Sequence, residues 1–82
     1  MIHRDQIKQL IEAGLPDCQA QVSGEDGSHF EAIIISAAFA GKMPVKRQQM
    51  VYATLGDRIS NGEIHALAMR TYTPEEWATA QT

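Results

Sequence analysis

The chain has 82 residues, a formal net charge of −3 and one cysteine. That length makes one domain, residues 1–82, with a small core, and a lone cysteine excludes an internal disulfide and suits a reducing compartment. The acidic balance weighs against a dedicated nucleic-acid binder, whose baseline affinity comes from neutralising phosphates. The longest apolar run, Ala32-Ile33-Ile34-Ile35, is too short to cross a bilayer, and the charged start lacks a signal peptide's apolar centre, so the expectation is a soluble cytoplasmic protein.

Residues 3–14 read as a helix, because Ile7, Leu10, Ile11 and Leu15 recur at helical spacing. Gly14 suits its C-terminal stop and Pro16 prevents continuation. Residues 17–23 alternate, with Cys18, Ala20 and Val22 on one side and Gln19, Gln21 and Ser23 on the other, as a strand with one buried face does. Asp26-Gly27 marks a turn, and residues 29–35 form a second strand antiparallel to the first. Ser36-Ala37-Ala38-Phe39 suits a short helical turn. Pro44 then opens a helix at its first position, where the missing N–H costs little. Val51, Leu55 and Ile59 carry that helix to a stop at Asn61-Gly62. Residues 63–71 make a third strand, and Thr73-Pro74-Glu75-Glu76 is a capping box opening a final helix whose Trp77 packs into the core. The order is αββαβα. A strand, a crossover helix and another strand imply that the third strand runs parallel to the second. The expected fold is α+β: a three-stranded mixed sheet covered by helices on one face.

Three groups of residues carry possible chemistry. His29 and His65 start the second and third strands, so a parallel pairing puts both imidazoles at one end of the sheet. Adjacent strands lie about 4.8 Å apart, which lets two imidazoles share an iron. The plainer reading is that each is an ordinary histidine with a hydrogen bond, and the residues alone leave both open. Lys42, Lys46 and Arg47 cluster with no acid among them, which is either a solvated helix face or a patch for docking a partner or nucleic acid. Cys18, in step with Ala20 and Val22, reads as a small buried hydrophobe with no neighbouring histidine or CxxC to activate it. His3, at the N-terminus, reads as incidental. The sequence offers no enzyme motif: no P-loop, no dinucleotide fingerprint, and no nucleophile with a base beside it. Gly24-Glu25-Asp26-Gly27 has the spacing of an RNA-clamping G-x-x-G loop, but its acids would repel phosphate.

The segments Asp26-Gly27-Ser28-His29-Phe30, Phe39-Ala40-Gly41-Lys42, Val45-Lys46-Arg47-Gln48-Gln49-Met50-Val51-Tyr52, Ile64-His65-Ala66-Leu67 and Thr71-Tyr72-Thr73-Pro74-Glu75-Glu76-Trp77 together resemble the BolA family, in its histidine-bearing, IbaG-type branch. The resemblance spans nearly the whole chain. It implies a fold similar to class II KH domains and a non-enzymatic partnership with a monothiol glutaredoxin in iron–sulfur cluster handling. In the shared complex a 2Fe–2S cluster is held by a glutaredoxin cysteine, a glutathione thiol and two side chains of the BolA-like protein, which correspond here to His65 and His29. Cys18 lies too early to match the loop cysteine of the family's other branch. Several members of the family are described as DNA-binding regulators, which implies a second role for the basic segment.

Overall fold

The computed structural model describes residues 2–81. The chain forms α1 (Arg4–Gly14), β1 (Cys18–Ser23), β2 (His29–Ser36), a 3-10 turn (Ala37–Phe39), α2 (Pro44–Thr54), β3 (Ala66–Tyr72) and α3 (Pro74–Ala80). The sheet order is β1-β2-β3, with β1 antiparallel and β3 parallel to β2. The mixed α+β architecture is the one the sequence predicts.

Alternation along the strands selects the core. Ala20, Phe30, Ala32, Ile34 and Leu67 are buried and pack with Ile7 and Ile11 of α1, Phe39, and Val51 of α2. Each such Ile, Leu or Phe contributes about 1.5–3 kcal/mol through burial. Ile35 is buried outside this cluster. Its register partner is Tyr72, and Trp77 of α3 packs edge-on against Tyr72 with ring centroids 5.1 Å apart. Trp77 is only partly buried and does not belong to the main core, contrary to the expectation for it. Its ring lies on Tyr72, one residue before the cap that opens α3, and not beneath the sheet.

β3 starts at Ala66 and not at residue 63, and three further points differ from the sequence reading. Gly14 is the last residue of α1, with Leu15 as its cap. A Cβ on Gly14 would lie 2.5 Å from Thr54 Cγ2, so the glycine is required by the close approach of α2 and not by a left-handed stop. The second difference is that α2 ends at Thr54, because Gly56 follows its cap Leu55 in the left-handed region at φ 61°. Residues 55–65 then run as successive turns, held by bonds such as Asn61 N–H to Asp57 O (2.8 Å) and Ile64 N–H to Arg58 O (3.1 Å). Lastly, His3 is not incidental. It is the N-cap of α1, its Nδ1 accepting from Asp5 N–H (3.1 Å) while its own N–H donates to Gln6 Oε1 (2.8 Å).

Candidate metal site at one end of the sheet

The hairpin loop between β1 and β2 sets the geometry. Asp26 Oδ1 accepts the backbone N–H groups of Ser28 and His29, each at 2.9 Å, which is a turn built by the side chain itself. Gly27 inside that turn has φ 75°, a conformation a side chain would resist. Asp26 Oδ2 lies 2.8 Å from His29 Nδ1. The backbone donors His29 and Ser28, and then the His29 ring, hold the Asp26 carboxyl well below the usual carboxylate range. The same loop anchors the start of β3. The carbonyl of Ser28 accepts from both His65 N–H (3.0 Å) and Ala66 N–H (3.1 Å).

His29 pairs in register with Ala66, so His65 stands directly before the residue facing it. The two imidazoles meet edge to face, ring centroids 6.2 Å apart and planes at 88°. Both residues are exposed; the side chain of His29 keeps 66% of its accessible surface. His65 therefore lies outside the core, although Leu67 two residues on is buried. Ile64, fully buried, fills the core beside it, and the strand begins one residue later. The structure thus brings together the two histidines proposed as ligands. Among the described residues no group of three or more His, Cys, Asp or Glu side chains could hold a metal ion. The donor set on this chain is two imidazoles, which suits one iron of a 2Fe–2S centre when two further ligands come from elsewhere.

The basic segment lies at the other end. β2 runs from His29 to Ser36, so its far end is about 23 Å from the histidines at about 3.3 Å per residue, and α2 starts from there. Lys42 and Lys46 are exposed, flanking Met43 (74% exposed) and Val45 (64% exposed). Arg47 does not join them, which corrects its place on a docking face. It is 9% exposed, with Nη1 and Nη2 donating to Glu76 at 2.7 and 3.2 Å and Nε donating to Lys42 O at 2.9 Å. Its guanidinium also lies over the Phe39 ring, 5.7 Å from the centroid. Arg47 is structural because the Glu76 carboxylate and the carbonyls of Lys42 and Thr71 take its inward donors. The second role of Glu76, beyond its capping box on Thr73, leaves no mark in local sequence because its partner is far away in the chain. Cys18 is partly buried against the core, and burial first, then the Glu12 charge, pushes its thiol up to about 11. A thiol raised in this way carries little thiolate at neutral pH.

A family model described as BolA-like protein matches residues 12–76. The chain is 39% identical over 77 residues to the acid stress protein IbaG of Escherichia coli K12, covering 94% of this chain and 90% of that protein. It is 31% identical over 90 residues to the DNA-binding transcriptional regulator BolA of the same organism, covering 99% of this chain and 85% of the other. A solved BolA homologue from Coxiella burnetii superposes with a TM-score of 0.83 at 39% identity, covering 95% of this chain and 99% of that one. On the sequence match, the shared αββαβα architecture and the matching solved structure, this chain is a member of the BolA family.

Proposed function

We propose that this protein is a non-enzymatic partner of a monothiol glutaredoxin, with which it shares a glutathione-ligated 2Fe–2S cluster in cluster assembly, transfer or iron sensing. The observation that carries this reading is the edge-to-face contact of His29 and His65, two exposed imidazoles brought side by side by one hairpin loop. Iron–sulfur centres take four protein or thiol ligands, and this chain offers two. The glutaredoxin cysteine and the glutathione thiol complete the set, so the chain alone holds no cluster tightly. When bound, the cluster supplies the iron that is passed on or sensed. The chain supplies two imidazole rings side by side. A cytoplasmic, reducing setting suits a protein whose one cysteine is a half-buried, high-pKa thiol. No helix is long and apolar enough to cross a membrane among the described residues.

The test is a visible absorption and circular dichroism titration of a glutathione-loaded, cluster-bearing monothiol glutaredoxin with this protein. A new spectrum is expected with wild type, lost with His65→Ala and weakened with His29→Ala. An unchanged glutaredoxin spectrum with wild-type protein would sink the reading.

A DNA-binding regulator is the second reading, favoured by Lys42 and Lys46 standing free of the histidine end. Phosphate contacts there make affinity fall steeply with salt. Lys42→Ala and Lys46→Ala should each lower the salt slope by about 1. Equal slopes for wild type and variants would remove these lysines from any DNA contact.

A further inference from the structure

We infer that Asp26 is a positioning residue for the histidine pair: it fixes the ring of His29 with the proton on Nδ1, leaving Nε2 as the open ligand atom. The inference rests on the metal-ligand reading of His29 and His65 and names the residue that prepares one of them.

Three hydrogen bonds define the arrangement. Asp26 Oδ1 is occupied by two backbone N–H groups at 2.9 Å, so the carboxylate cannot rotate without losing the turn. Its other oxygen is thereby aimed at His29 Nδ1, 2.8 Å away. An ionised carboxylate only accepts, and a neutral imidazole carries one N–H. The N–H must therefore sit on Nδ1, and the lone pair is on Nε2. Carboxylates that hold the second nitrogen of a ligating histidine in this way fix its tautomer and orientation and raise its basicity. His65 has no such support. Its backbone is tied to Ser28, but no hydrogen bond to its ring is found among the described residues. The pair is thus asymmetric, with one imidazole held by the loop and the other free to adjust to it. The alternative is that Asp26 only shapes the turn and the ring contact adds nothing.

Asp26→Asn separates these. Asn keeps an oxygen for the two backbone N–H groups, but its amide would present N–H to His29 Nδ1. The tautomers of His29 and His65 are read in the isolated protein by long-range 1H–15N correlation at a pH where both rings are neutral. Wild type should show His29 protonated at Nδ1. Asp26→Asn should move that proton to Nε2 and leave His65 unchanged. Asp26→Ser, whose shorter hydroxyl can hold the turn but not the ring, should relax the preference and serves if the Asn variant does not fold. A wild-type His29 protonated at Nε2, or a tautomer identical in all variants, overturns the inference. In the glutaredoxin titration, Asp26→Asn should weaken the cluster-bridged complex about 10–100-fold, and should add nothing in a His29→Ala background. An equal loss in that background would make Asp26 merely structural. If neither histidine variant alters the cluster spectrum, the functional reading fails, while the tautomer of the isolated protein still decides the role of Asp26.

Discussion

The two ends of this sheet use polar residues in opposite ways. At the far end, Arg47 is buried and every strong donor it aims inward meets an oxygen: Glu76, Lys42 O and Thr71 O. At the near end, the loop spends its hydrogen bonds on orientation and leaves two imidazole rings exposed against each other. A satisfied buried network rigidifies, whereas an exposed imidazole pair keeps ring nitrogens accessible to a ligand. The contrast teaches that charge in the sequence does not mark the candidate site. Arg47, the residue most central to the basic segment, is a fastener between α2 and α3, and two imidazole rings form the candidate site.

Breaking the fastener should show the largest effect on stability. Arg47→Ala would strand Glu76 and two carbonyls and empty the space over Phe39. A loss of about 1–3 kcal/mol is expected, from the two part-buried carbonyls left unpaired, because solvent screens the Glu76 pair itself. Urea unfolding measures it, and the cluster titration with the same variant should retain the wild-type spectrum. His65→Ala should do the reverse: its ring is exposed, so stability should change by no more than about 0.5 kcal/mol while the cluster spectrum disappears. A variant at either end that damaged both properties equally would erase the distinction between them.

A second prediction concerns the frame that holds both ends. Gly14→Ala would normally help a helix by up to about 1 kcal/mol. Here the new Cβ would collide with Thr54 Cγ2 and Cβ, at 2.5 and 2.8 Å, and overpacking of this kind costs about 1–3 kcal/mol. Thermal melts should therefore show a lower midpoint for Gly14→Ala, and recovery when Thr54 is shortened to Ala.

These cases also show what could be read from sequence. Local signals carried far: the alternation of Cys18 to Ser23, Pro44 at the start of α2 and the Thr73 capping box all match the structure. Two histidines at one end of parallel neighbours are also legible, because strand order and direction follow from the ββαβ pattern, although His65 lies just before β3. What stayed hidden depends on pairs distant in the chain. The Gly14–Thr54 approach, the Arg47–Glu76 fork and the edge of β1 at Ala20, whose N–H and C=O are taken by Glu12 and Lys8, have no local signature. The apolar spacing runs on to Ile59 and hides the end of α2, where Gly56 turns the chain.

The smallest expected effect is a pH dependence that belongs to one end. The hydrogen bond from Arg47, then that from the Thr73 backbone, lowers Glu76 from its ordinary value of 4.5 to about 2. A carboxylate with a depressed folded-state pKa stabilises the fold above its unfolded value, and that stabilisation is lost as pH falls through the folded one. The contribution of Glu76 is therefore complete above about 4.5 and disappears progressively on the way to about 2. Glu76 is about half exposed, so solvent screens the effect and keeps it small. Glu76→Gln isolates it, because Gln still serves the capping box but cannot carry the charge. Urea midpoints between pH 5 and pH 2 should fall less steeply for this variant than for wild type. The slope that remains belongs to Asp26 and Glu12, whose carboxyls are also held below their usual range. Identical slopes would mean that the fastener works by shape and hydrogen-bond geometry alone, with the charge of Glu76 adding nothing to the contrast between the two ends.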